Sequence, residues 1–340
     1  MPQDETMDIF YYEHKLPRPT GREYVKHVTL LLITFITATI AGTLYPFGVI
    51  PIFPEADPAT WAELVQFLAA APASYLFFIG ETAYRIVTEW DLLVRGLSFS
   101  LPLLAILFAH EMGHYIACRI YRVYSTLPYF IPTPPMIGPA GTFGAFIKVR
   151  SPMPSRKAVF DIGVAGPIAG FLTLIPIAII GIATAEPVPP AAEQGYSGII
   201  FSDPLFMKLI AAVVGVDLSA VYGNAFYFAA WVGLLVTALN LIPSGQLDGG
   251  HAIYAVLGPR VHLWTGRIAF VVMAVLSVLG LVFFNSPSGF LIAILLGVML
   301  RVGHPEPWDT SPLDGKRKIV AMVTLLIFVV CFLPFPIKIV

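Results

Sequence analysis

The sequence predicts an all-α polytopic membrane protein of about seven transmembrane helices, and three observations predict it. First, 57% of the 340 residues are hydrophobic and only 12% charged, with a mean hydropathy of +0.80. That leaves too little polar surface for a soluble globule of this size. Second, apolar runs near the roughly 20 residues needed for a helix to cross a bilayer recur along the chain. Third, Lys and Arg segregate. With seven spans and a cytoplasmic N-terminus, 16 of the 20 fall inside, and only Arg85, Arg95, Lys208 and Lys338 fall outside.

The spans are expected at Val28–Tyr45, Ser98–Tyr121, Ala158–Ala183, Asn224–Leu241, Arg267–Phe284, Gly289–Leu300 and Ile319–Phe335, the sixth short enough to be tilted or re-entrant. Trp61–Ile79 is apolar but carries Glu63, Gln66 and Pro72. Letting it span would put one set of basic loops on the wrong side, so it reads as an external interfacial or partly re-entrant helix. The chain divides into a cytoplasmic segment 1–27, a first span and external segment 28–97, a core 98–251 and a C-terminal membrane region 252–340. Met1–Tyr24 is polar and reads as partly disordered. It lacks the short apolar core and cleavage site of a signal peptide, which predicts a retained first span.

A net charge of -1 gives no electrostatic footprint for nucleic acid. Cys118 and Cys331 lie far apart in the chain within apolar segments, which argues against a disulfide framework or a Cys-rich metal site and predicts packing roles.

The chemistry concentrates in His110-Glu111-Met-Gly-His114, inside the apolar run Leu101–Tyr121. Residues four apart share one helix face, so both imidazoles can reach one metal ion. Glu111 then lies beside the open coordination position, where a carboxylate can take a proton from metal-bound water. The alternative is that these side chains line a helix interface or polar pore. Ionisable groups at membrane depth cost about 2.5–3.5 kcal/mol each on insertion scales, so three within five residues imply a stabilising partner, and zinc fits. Arg119 and Arg122 mark the cytoplasmic exit of this helix. His110 then sits about 14 Å into the membrane from Arg119, at 1.5 Å per residue.

A catalytic zinc takes a third protein ligand. Asp248 is the best candidate, in Asn240-Leu-Ile-Pro243-Ser-Gly-Gln-Leu-Asp248-Gly249-Gly250-His251. Pro243 and Gly245 should break the helix there, at the same membrane side as the histidines. Asp248 can equally cap a following helix, and His251 is a rival ligand. Asn240, an isolated amide in an apolar span, can bond a tetrahedral intermediate or glue two helices. Gly163, Gly166 and Gly170 form a small-residue face expected to serve packing. Gly141–Arg150 can form an extended strand after a turn, and such a strand could pair with an unwound substrate segment. A plain interfacial loop is the alternative.

These residues resemble the site-2 protease family of intramembrane zinc metalloproteases (peptidase M50). The resemblance rests on the HExxH stretch, Gly141-Thr-Phe-Gly144, and Asn240–Gly250 in order. Leu127–Pro132, Phe160–Pro167 and Gly303-His304-Pro305 further resemble a bacterial and plastid branch of EGY-type proteases. The resemblance implies one Zn2+ held by His110, His114 and Asp248, with Glu111 as catalytic base and Asn240 near the scissile carbonyl. It also implies a membrane-associated hairpin or re-entrant loop between the second and third spans, with Gly141, Thr142, Phe143 and Gly144 contacting substrate. The expected substrate is a transmembrane protein such as a membrane-tethered regulator, cut in the bilayer of a bacterial inner membrane. No interspan stretch reaches the roughly 90 residues of the PDZ domain many bacterial relatives carry. A metal transporter or sensor using the same His/Asp cluster is the rival function, and an inactive scaffold a third.

Overall fold

The computed structural model describes residues 17–44, 59–135, 140–187 and 199–339. Their helices are α1 Gly21–Leu44, α2 Trp61–Thr88, α3 Trp90–Ile120, α4 Arg156–Ala183, α5 Leu205–Val214, α6 Ala225–Asn240, α7 Asp248–Leu257, α8 Pro259–Phe284, α9 Ser288–Met299 and α10 Gly315–Cys331. Five of them, α1 to α4 and α8, are long and apolar enough to cross a membrane. Polar residues set the starts. Thr20 and Glu23 exchange hydrogen bonds at the head of α1, and Ser155, Asn224 and Asp314 cap α4, α6 and α10 through their side chains.

The expected spans map onto helices whose ends differ. Helix α3 begins eight residues earlier than Ser98 and α8 eight earlier than Arg267, because nothing between breaks the backbone pattern. Gly21–Tyr24, expected to belong to a disordered segment, is the first turn of α1, while residues 1–16 lie outside the described residues. Trp61–Ile79 extends to Thr88 as a 28-residue helix, with Pro72 inside it and only Thr82 and Ile86 buried. Helix α5 lies in a stretch expected to be a connecting segment, and α7 is the helix following Asp248 that one of the two expectations for that residue required.

Helix α4 is the centre of the bundle and packs on α3, α5, α6, α7 and α10. Phe99, Leu103 and Ile106 of α3, Leu174 and Ile182 of α4, and Leu234 and Ala238 of α6 form the largest core. A second core around Cys118, Phe160, Ile162 and Tyr254 fills the end beneath the HExxH turn. Large apolar side chains also face outward, including Ile268, Val271, Val275 and Val282 of α8. An apolar exterior of this extent fits lipid rather than water. Both cysteines are buried and unpaired, as expected of packing residues.

Between α3 and α4, β1 (Tyr129–Pro132) pairs antiparallel with β2 (Thr142–Phe146). The register slips by one residue between Phe130↔Ala145 and Pro132↔Thr142, a bulge that accommodates Gly144 at φ +96. β1 is held by α1, where His27 Nδ1 donates to Pro128 O at 2.9 Å and its ring lies on Tyr129. Two further two-stranded pairs join β3 (Glu186–Pro187) to β5 (Val221–Tyr222) and β4 (Ile199–Phe201) to β6 (Ile337–Ile339).

Candidate metal centre

His110 and His114 lie one turn apart on α3, both buried, and their Nε2 atoms face each other at 3.1 Å. Asp248, the first residue of α7, places Oδ2 3.3 Å from each of them. One donor atom from each residue falls within 4.8 Å of the others, the only such group of metal-ligating side chains among the described residues. His114 Nδ1 lies 2.7 Å from the carbonyl oxygen of Ile162, which can only accept. Nδ1 therefore carries the proton, and the Nε2 lone pair is turned toward His110 and Asp248. Two imidazole nitrogens and a carboxylate oxygen converging on one point are a donor set suited to zinc.

The two open alternatives for Asp248 and His251 separate here. Asp248 makes no side-chain cap on α7, whose N-cap is Leu247, and its carboxylate goes to the histidines instead. His251 Nδ1 turns to His304 Nε2 at 2.7 Å and stands outside the group. The Asp-Gly-Gly sequence has a steric cause. A Cβ at Gly249 would lie 2.0 Å from Leu241 O, and one at Gly250 2.4 Å from Gly245 O. Only glycines let the first turn of α7 sit against the chain that leaves α6.

The small-residue face of α4, expected to serve packing alone, is the wall on which these side chains rest. A Cβ at Gly166 would lie 2.1 Å from His114 Nε2, at Gly170 3.1 Å from His110 Cβ, and at Gly163 2.8 Å from His251 Cβ. Gly113 of the HExxH turn closes the same interface, with Ala165 O only 2.4 Å from a Cβ built there. The i, i+3, i+7 spacing of the three glycines was a legible signal; the partner was not.

Glu111 is buried on the same turn, beside both histidines and Asp248, and the backbone of Ile147 just beyond β2 approaches its carboxylate. Asn240 ends α6 with Nδ2 3.3 Å from His110 Nε2, partly exposed at the cluster. The strand residues divide. Gly141, at φ +67, is wedged against Thr37 of α1, whose hydroxyl donates to Gly141 O at 2.7 Å. Thr142 Oγ1 bonds Ile131 O across the pair. Phe143 is 69% exposed and Gly144 has open space around it. The first two thus brace the strand, Phe143 presents a free surface, and Gly144, itself buried, has room where a side chain would point.

The model of the family described as Peptidase family M50 matches residues 98–283, more than half of the chain. Relatives include "Probable zinc metalloprotease EGY1, chloroplastic" of Arabidopsis thaliana, 29% identical over 72% of this chain and 45% of the relative. The protein of the same name from Oryza sativa subsp. japonica is 27% identical over 77% of this chain and 45% of its own. "Probable zinc metalloprotease EGY2, chloroplastic" of Oryza sativa subsp. indica is 27% identical over 72% and 44%. The chain spans less than half the length of these relatives. Their names place them in chloroplasts and lend no support to a bacterial inner membrane. No solved structure matches. A convergent His-His-Asp cluster on apolar helices and a match through both its motifs lead to one conclusion: the chain belongs to peptidase family M50.

Proposed function

We propose that this chain is an intramembrane zinc metalloendopeptidase that hydrolyses peptide bonds in or near transmembrane segments of membrane proteins. The observation that carries it is the convergence of His110, His114 and Asp248 with Glu111 on the same buried turn. In this reading His110, His114 and Asp248 hold one zinc ion, which when bound polarises a carbonyl oxygen and makes water acidic near neutral pH. Glu111 takes the proton of the attacking water and delivers it to the departing amine nitrogen. Asn240 donates from Nδ2 to the oxygen on which negative charge develops. Phe143 and Gly144 contact a substrate segment that, once unwound, pairs along β2 and regains the backbone hydrogen bonds lost from its helix. A membrane-tethered regulator is the expected class of substrate, and the Lys/Arg distribution supports a cytoplasmic N-terminus.

Zinc content and cleavage of a transmembrane test substrate, measured on detergent-purified protein, test the reading. Wild type should hold about one zinc per chain, and His114→Ala and Asp248→Ala should lose it. Glu111→Gln should keep the zinc and lose cleavage by about 100-fold or more. Persistent cleavage in Glu111→Gln would overturn the assignment of the base, and a metal-transport role would leave no such loss to observe.

A further inference from the structure

The Gly303-His304-Pro305 segment, between α9 and α10, has no part in the chemistry above. It nevertheless brackets Asp248 from both sides. Gln246, two residues before Asp248, donates Nε2–H to Gly303 O at 2.7 Å. His251, three residues after it, meets His304 at 2.7 Å. The direction of that second bond follows from its neighbour. His304 Nδ1 lies 2.8 Å from Pro305 O, a carbonyl that can only accept, so Nδ1 holds the ring proton and Nε2 is an acceptor. Burial, and then His251, push the His304 imidazole down to about 3, so the ring is neutral near pH 7. His251 Nδ1–H is therefore the donor. The ring of His304 is fixed independently by stacking on Tyr254, centroids 3.9 Å apart and planes 8° from parallel. From α8, His262 Nε2 donates to Gly245 O at 2.9 Å, so the turn leading to Asp248 is held from that helix as well.

We propose that His304 is a positioning residue that, through His251, sets the first turn of α7 and so holds the Asp248 carboxylate over the two histidines. The Gly303 carbonyl acts with it through Gln246. This rests on the metal-centre reading above and adds that the connection between α9 and α10 governs metal affinity. Groups that orient a ligand from outside typically change metal affinity by about 10- to 100-fold when lost.

The test is zinc affinity of the detergent-purified full chain, by competition with a chelating dye, with thermal unfolding of each metal-free protein as the check on folding. His304→Gln keeps an acceptor for His251 but removes the ring, whereas His304→Phe keeps the ring over Tyr254 and removes the acceptor. We expect His304→Gln to stay within about threefold of wild type and His304→Phe to bind zinc at least about 10-fold more weakly. A His304→Phe affinity equal to wild type, or a His304→Gln loss as large as that of His304→Phe, would overturn the proposal by showing that the ring, not the hydrogen bond, matters. Should the His304 variants fail to fold, the exposed Gln246→Ala decides: a severalfold loss supports the bracket and an unchanged affinity rejects it. Wild type without zinc would remove the metalloprotease reading and this proposal together.

Discussion

His114 has its lone pair aimed by a backbone carbonyl and its ring seated on a glycine. The Ile162 carbonyl fixes which nitrogen is protonated, and Gly166 leaves the space that the ring occupies. Gly166→Ala should therefore strip the protein of zinc, since the new methyl group would lie only 2.1 Å from Nε2 and force the ring aside. Gly80→Ala, in open space on α2, should leave zinc content unchanged. Gly249→Ala meets backbone at Leu241 rather than a movable side chain, so it should cost about 1–3 kcal/mol of stability, read by thermal unfolding, as well as zinc. The histidines were legible because a spacing of four on a helix forces one face. Asp248 was legible only as a candidate, because a loop of seven residues separates it from α6 and sequence carries no distance across such a connection.

Helix α10 is attached to the site's helices by a polar knot. Arg317 reaches Asp161 of α4 with Nη2 at 2.6 Å and Nε at 2.9 Å, donates to the Tyr121 hydroxyl at 2.9 Å, and also pairs with Asp314. Tyr121, just past the end of α3, bonds Asp161 as well. Asp161 precedes the residue whose carbonyl orients His114, so the knot braces the site's back wall. Arg317→Ala should lower stability by about 1–2 kcal/mol, seen as a lower unfolding temperature, and Arg317→Lys should restore only part of it, because an ammonium cannot reproduce the two-pronged pair. The strand pair yields a separate expectation. Gly144 has φ +96 with free space around it, so Gly144→Ala strains the backbone of β2 without a clash. Cleavage of a transmembrane substrate should fall several-fold while zinc stoichiometry holds, which would place this strand on the substrate path rather than at the metal.

For the whole molecule, orientation turns on α2. Its 28 residues would reach about 42 Å at 1.5 Å per residue, more than a bilayer core requires, yet the charge distribution favours keeping both of its flanks outside. Single cysteines placed at Thr60 and Glu89 in a chain lacking Cys118 and Cys331 should label from the same face. Labelling from opposite faces would reverse the orientation of every helix that follows. Composition and periodicity determined the membrane class, the helical character and the HExxH turn as a candidate metal site, because these depend on what one segment can do by itself in lipid, while the family resemblance rested on motifs read in order along the chain. Tertiary structure alone decided that Asp248 turns to the histidines instead of capping α7, that His251 pairs with His304, and that the glycines of α4 form the wall behind His110, His114 and His251. Each of these is a contact between segments tens to over a hundred residues apart, and only the packing of helices against one another brings such segments within reach.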